Sequence, residues 1–122
     1  MKYKVFISQP MAGRTLDEVL EERMQIINIL NGLSTCMMAM DVEIEIIESF
    51  EASRFNANTK PIEGLGGSIQ KMQDADIVVF APGWEQSKGC KVEHLCATEY
   101  GLSLIHLKDT KPLIKRNNND VK

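Results

Sequence analysis

Apolar and polar positions along this chain follow two periods, one of two residues and one near 3.6, and the two alternate from end to end. Tyr3 to Ser8 is rich in β-forming residues and predicts a strand, β1, broken by Gln9-Pro10-Met11-Ala12-Gly13-Arg14. Thr15-Leu16-Asp17-Glu18 reads as a capping box: the Thr15 hydroxyl can accept from the third helical amide, and Glu18 can reach back. Leu16, Val19, Leu20, Arg23, Ile27 and Leu30 then recur at helical spacing up to Gly32, which predicts helix α1. Val42 to Glu48 alternates valine or isoleucine with glutamate before a further isoleucine. That period of two, with one charged face, predicts an edge strand, β2.

Ser49 to Glu63 is polar and aperiodic, long enough to be a functional loop rather than a connector. Gly64-Leu65-Gly66-Gly67-Ser68 leads into a short helix, α2, expected from about Ser68 to Gln73. Ile77 to Phe80 is apolar throughout, as a strand covered on both faces must be, and predicts a central strand, β3. Helix α3 is expected from Ser87 to Tyr100, with Gly101 ending it, and Leu102 to Leu107 forms β4. From about residue 112 to 122 almost nothing apolar remains, so this end of a single domain spanning 1–122 is expected to be a loosely ordered tail.

The order β-α-β-α-β-α-β implies a three-layer α/β sandwich around a parallel sheet of about four strands, joined by right-handed crossovers. With spatial order 2-1-3-4 the winding reverses between β1 and β3, and ligands of such sheets bind beyond the carboxyl ends of the strands at that reversal. The loops meeting there are Gln9 to Arg14 and Ala81 to Cys90.

At 122 residues and 43% hydrophobic, the chain can bury one modest core. A net charge of -3 excludes a general nucleic-acid clamp, which needs a basic face. The three cysteines, Cys36, Cys90 and Cys96, form no CxxC pair, and an odd count predicts reduced thiols in the cytoplasm. Met1-Lys2-Tyr3-Lys4 runs straight into β1 with no room for a signal peptide, and no apolar stretch approaches the roughly 20 residues that cross a bilayer, so no membrane partner is expected. His94 and His106 have no partners at metal-ligand spacing, so no metal is expected. Gly64 to Ser68 lacks the last glycine of a dinucleotide fingerprint and follows no strand, and there is no Walker lysine, so no organic cofactor is expected either.

The carboxylate best placed for chemistry is Glu93. On a helical wheel Val92, Leu95, Cys96 and Tyr100 share the face turned to the sheet, and Glu93 sits at its rim, beside the crevice. There it can act as nucleophile or base; the alternative is a solvated helix glutamate. Ser87 can cap α3 while the following amides of Lys88, Gly89 and Cys90 receive an anion, and Gly89 permits close approach. Ser8, Gln9, Pro10, Met11, Gly13 and Arg14 form the facing wall. Arg14 pairs with a phosphate or is solvated, and Trp84, beside Gly83, stacks on a base or on its own loop. Cys90 reads as packing.

Ile7-Ser8-Gln9-Pro10-Met11-Ala12-Gly13, Asp76, Pro82-Gly83-Trp84-Glu85-Gln86-Ser87-Lys88-Gly89-Cys90, Glu93, Ala97 and Gly101 together resemble the small phage and bacterial proteins of unknown function grouped with the nucleoside 2-deoxyribosyltransferases. The resemblance implies a flavodoxin-like (Rossmann-like) fold and action on the N-glycosidic bond of deoxynucleosides or their 5′-monophosphates. It implies that Glu93 attacks the anomeric carbon and that Ser87 lies on the phosphate side, as in the monophosphate hydrolases. It also implies a homo-oligomer that completes its pocket with a neighbouring subunit. Ser68 stands where the superfamily commonly has an aspartate that handles the leaving base, and Lys91 replaces a glycine; Asp74 and Glu85 are the other carboxylates conceivable as the acid. A protein that binds or sequesters a nucleotide signal without turnover is the alternative expectation.

Overall fold

The computed structural model describes residues 1–36, 42–48 and 61–108. In chain order they form β1 (Lys2–Ser8), α1 (Leu16–Cys36), β2 (Glu43–Ile46), α2 (Pro61–Met72), β3 (Ile77–Phe80), a 3-10 turn (Trp84–Gln86), α3 (Lys88–Glu99) and β4 (Ser103–His106). The four strands are parallel in the order β2-β1-β3-β4, which is the flavodoxin-like arrangement. The expected loop from Ser49 lies outside the described residues as far as residue 60, as does the expected tail. Among the described residues no helix is long and apolar enough to cross a membrane.

Alternation along the strands sorts the core into two layers. Val5, Ile7, Val79 and Ala81 pack with Ile26 and Leu30 of α1 on one face. Phe6, Val78 and Phe80 pack with Met72 of α2, Ala75, and Ala97 of α3 on the other. Ser8 has the parity of Phe6, so the last side chain of β1 belongs to the face that carries α3. Its register partner is Phe80, and the partner of Phe80 on the far side is His106. Ser8, Phe80 and His106 therefore form a row across the carboxyl ends of three adjacent strands, under α3.

Two helices extend beyond the ranges read from the sequence. The capping box closes as expected, with Thr15 Oγ1 accepting from Glu18 N at 3.1 Å and Glu18 Oε1 accepting from Thr15 N at 2.9 Å. The helix it opens then runs past Gly32 to Cys36, since one glycine in a helix costs only about 1 kcal/mol. Helix α2 starts at Pro61 rather than Ser68, so Ile62 and Glu63 are helical rather than loop. A proline at the first helical position loses no intrahelical bond, and Leu65, Ile69 and Met72 keep helical spacing through the glycines. Gly101, at φ +75°, ends α3 as expected.

The buried face of α3 is a clear correction. Val92, Leu95 and Tyr100 are 38%, 58% and 83% exposed, while Cys90, Glu93 and Ala97 are buried. Small side chains let a helix approach a sheet closely. Cys90 and Ala97 supply that surface, so Glu93 lies between them at the centre of the contact rather than at its rim.

Candidate active site at the strand ends

Glu93 projects from the second turn of α3 onto the end of β1. Ser8 Oγ donates to its Oε1 at 2.5 Å, in a place where only 7% of Glu93 and 2% of Ser8 are exposed. Burial raises the Glu93 carboxyl to about 7, because desolvation disfavours the charged form; the Ser8 hydroxyl pulls the other way. Cys90 lies beside this pair, with the Ser8 and Ser87 hydroxyls against its thiol. Burial raises the thiol's pKa, and those two hydroxyls oppose the rise. Thus Cys90 is packing at the floor of the Glu93 site and no ready nucleophile.

The loop after β1 reaches the same end of the sheet, but its polar side chains are already engaged. Gln9 Nε2 donates to the Val19 carbonyl and to Glu22 Oε1, both at 3.0 Å, and its Oε1 accepts from the buried Arg23 at 3.4 Å. Arg14 is paired with Glu22 at 2.9 Å and donates to the Pro10 carbonyl at 2.8 Å. Arg23 also donates to the carbonyl of Ile47, just past β2, at 3.4 Å. Burial lowers the guanidinium's pKa and the nearby Glu48 raises it. These bonds lock the loop to α1. Glu22 and Arg23 anchor the β1 loop, a role that the sequence reading did not give them. The signal was available: Arg23 sits on the apolar stripe of α1, where a charge needs buried partners.

The loop after β3 comes up against this one. Gly83 adopts φ +85°, and a Cβ built there would stand 4.0 Å from Pro10 Cγ. Ser87 caps α3 by accepting from Cys90 N at 3.3 Å. Gly89 faces Leu65 of α2, with 3.9 Å between a Cβ built on it and Leu65 Cδ1, rather than the crevice. Ser68 is half-buried within α2 and takes no part in the hydrogen bonding of Glu93. Met11 and Lys91 are exposed. Asp76 sits at the opposite end of the sheet, where its Oδ2 accepts from Lys4 N at 2.8 Å, and Asp74 is exposed on the turn beside it. Neither can serve a reaction at Glu93.

Two hollows open near the strand ends. One, of about 430 Å³, is lined by Gly13, Arg14 and the α1 residues Glu18, Glu21, Glu22 and Gln25. The other, of about 510 Å³, is bounded by Pro82 to Glu85, His94 and the segment from His106 to Lys108. Neither has Glu93 in its wall. The second holds an arrangement absent from the sequence reading: His94 and His106 meet Nε2 to Nε2 at 2.9 Å, joining α3 to β4. With their centroids 5.1 Å apart the rings meet nearly head-on, as an N–H···N bond requires. Trp84 stacks on His94 with centroids 4.2 Å apart and planes at 10°, over a base formed by Phe80. Trp84 therefore packs within its own cluster.

Burial first, and then the neighbouring His106, hold the His94 imidazole below its ordinary pKa of 6.5, with Glu85 opposing. A lowered pKa for a base means that the fold favours the neutral ring. Its contribution is present above about pH 6.5 and is lost as pH falls, when the unfolded chain takes up the proton first. Acidification from pH 7 to 5 is therefore expected to part the imidazoles and alter the emission of Trp84, the only tryptophan. His94→Gln should remove that transition, and a flat wild-type titration would contradict the pairing.

The model of one protein family, described as a domain of unknown function (DUF4406), matches residues 3–106. The chain belongs to the DUF4406 family. No curated protein and no solved structure matches it. The DUF4406 match opens at Tyr3 in β1 and closes at His106, so among the described residues it takes in all but the first residue of the sheet, the helices α1 to α3 and both side-chain clusters at the strand ends.

Proposed function

We propose that this protein binds a nucleoside or nucleotide beyond the carboxyl ends of β1 and β3 and acts on its N-glycosidic bond, with Glu93 as nucleophile. The observation that carries the reading is the buried Glu93–Ser8 contact at the winding reversal of the sheet, where α/β sheets of this kind bind ligands. The resemblance of the Ser8 to Gly13 and Gly83 to Glu93 segments to the deoxyribosyltransferase superfamily supports it. In the reaction, a carboxylate oxygen of Glu93 bonds to the anomeric carbon while the glycosidic bond breaks. The base leaves with the bonding pair and takes a proton from solvent. Water then hydrolyses the glycosyl ester, returning the carboxylate. Ser87 and the first amides of α3 hold a 5′-phosphate in this reading, and a neighbouring copy of the chain completes the pocket. No cofactor takes part.

Binding without turnover is the second reading. The raised Glu93 pKa favours it, since about half of the carboxyl is neutral near pH 7 and a neutral acid is a poor nucleophile. Incubation with deoxynucleosides and their 5′-monophosphates, followed by chromatography, distinguishes the two. Free base released by wild type and not by Glu93→Ala is the result expected. Tight binding with no base released, little altered by Glu93→Ala, would establish the second reading. A panel in which no nucleotide raises the melting temperature would sink both.

A further inference from the structure

We propose that Ser8 is the positioning residue of the Glu93 site: by holding Oε1 it leaves Oε2 as the oxygen that a ligand meets. The inference rests on the reading of Glu93 as the reacting carboxylate.

Glu93 has one hydrogen bond, from Ser8 Oγ to Oε1. Among the described residues no side-chain oxygen or nitrogen is both buried and without a partner. Oε2 has no partner, so the small exposed part of Glu93 includes Oε2. The two oxygens are thus unlike: Oε1 is engaged by Ser8, while Oε2 is unbonded and reachable from outside. Free rotation of the carboxylate would exchange them, and the Ser8 bond opposes that rotation.

Ser8 is itself firmly held. It is the last residue of β1, paired in register with Phe80, and its carbonyl accepts from Ala81 N at 2.9 Å. Its hydroxyl has one proton, and an ionised carboxylate can only accept, so the proton goes to Glu93. That bond favours the charged form of Glu93 against the burial that opposes it. Loss of Ser8 removes both the orientation and this support.

The deciding measurement follows the Glu93 carboxyl by carbon NMR across pH, with no turnover needed. In Ser8→Ala its midpoint should rise by on the order of one unit, and Ser8→Thr, which keeps the hydroxyl, should restore it. Ser8→Cys fills nearly the same space with a weaker donor and carries the test should Ser8→Ala fail to fold. With a 5′-monophosphate as substrate, Ser8→Ala should lower kcat by on the order of ten-fold with KM nearly unchanged, and move the acid limb of the pH profile upward. A midpoint unmoved in the folded variants overturns the proposal whatever the activity. A midpoint that moves as expected in a protein that releases no base upholds the hold of Ser8 on Glu93, and the glycosidic reading alone falls.

Discussion

Glu93→Gln is expected to stabilise the protein above neutral pH while lowering base release by on the order of 10³-fold or more. An amide keeps the volume of the side chain and an oxygen that can accept from Ser8, yet it cannot ionise. In the unfolded chain the carboxyl titrates near its ordinary value of 4.5, and in the fold near 7. Between those values the folded state binds more protons than the unfolded one, so wild-type stability falls as pH rises through that window and then levels off. A gap of this size corresponds to about 3 kcal/mol. The variant should therefore exceed wild type by about that amount in denaturant titrations at pH 8, and match it near pH 4. Equal stability at both pH values would mean that Glu93 is not desolvated as its burial indicates. A buried carboxylate that weakens the fold at neutral pH is a candidate functional group, which is why this comparison bears on function.

The second large effect is expected at Phe80. Its side chain is fully buried, packs on Phe6, Val78 and Ala97, and forms the base on which Trp84, His94 and His106 rest. Phe80→Ala removes that base and leaves a cavity at a point where β1, β3 and β4 are knitted together. A loss of about 3–5 kcal/mol is expected from such truncations. The emission of Trp84 should shift in the folded variant even at neutral pH, because the ring would lose its support before the domain unfolds. Phe80→Leu should cost less than half as much. A loss under 1 kcal/mol for Phe80→Ala would show that the cluster is carried by its histidines instead.

The sheet was legible in the sequence because buried parallel strands must be apolar on both faces, and Ile77 to Phe80 admits no other reading. The alternation of elements implied a parallel sheet; the order 2-1-3-4 was a supposition added to it, and it is the order the strands adopt, with the winding reversal between β1 and β3. The orientation of α3 was not legible. A wheel weights large apolar residues, but closeness to the sheet selects small ones, so Cys90 and Ala97 prevailed over Val92 and Leu95 and carried Glu93 inward. Helix α2 was cut short because its glycines look like a loop until Pro61 is read as a first helical residue.

Gln9 and Arg14 were read as part of the crevice wall, with Arg14 either pairing with a phosphate or solvated; the structure bonds both to α1 through Glu22. Those bonds were not legible in the sequence, because they depend on where Glu22 and Arg23 stand in the fold. The pairing of His94 with His106 joins a helix to a strand and obeys no period. Only the register of β4 with Phe80, which places His106 at a strand end beneath α3, makes it visible.

The division of the core into two layers has a practical consequence for redesign. Ser8, Phe80, Cys90, Glu93 and the two histidines lie on the face that carries α3, while Val5, Ile7, Ile26, Leu30 and Val79 fill the other. Thermal robustness could thus be engineered into the latter compartment by volume-matched exchanges, leaving the Glu93 layer untouched and providing spare margin for riskier experiments upon it.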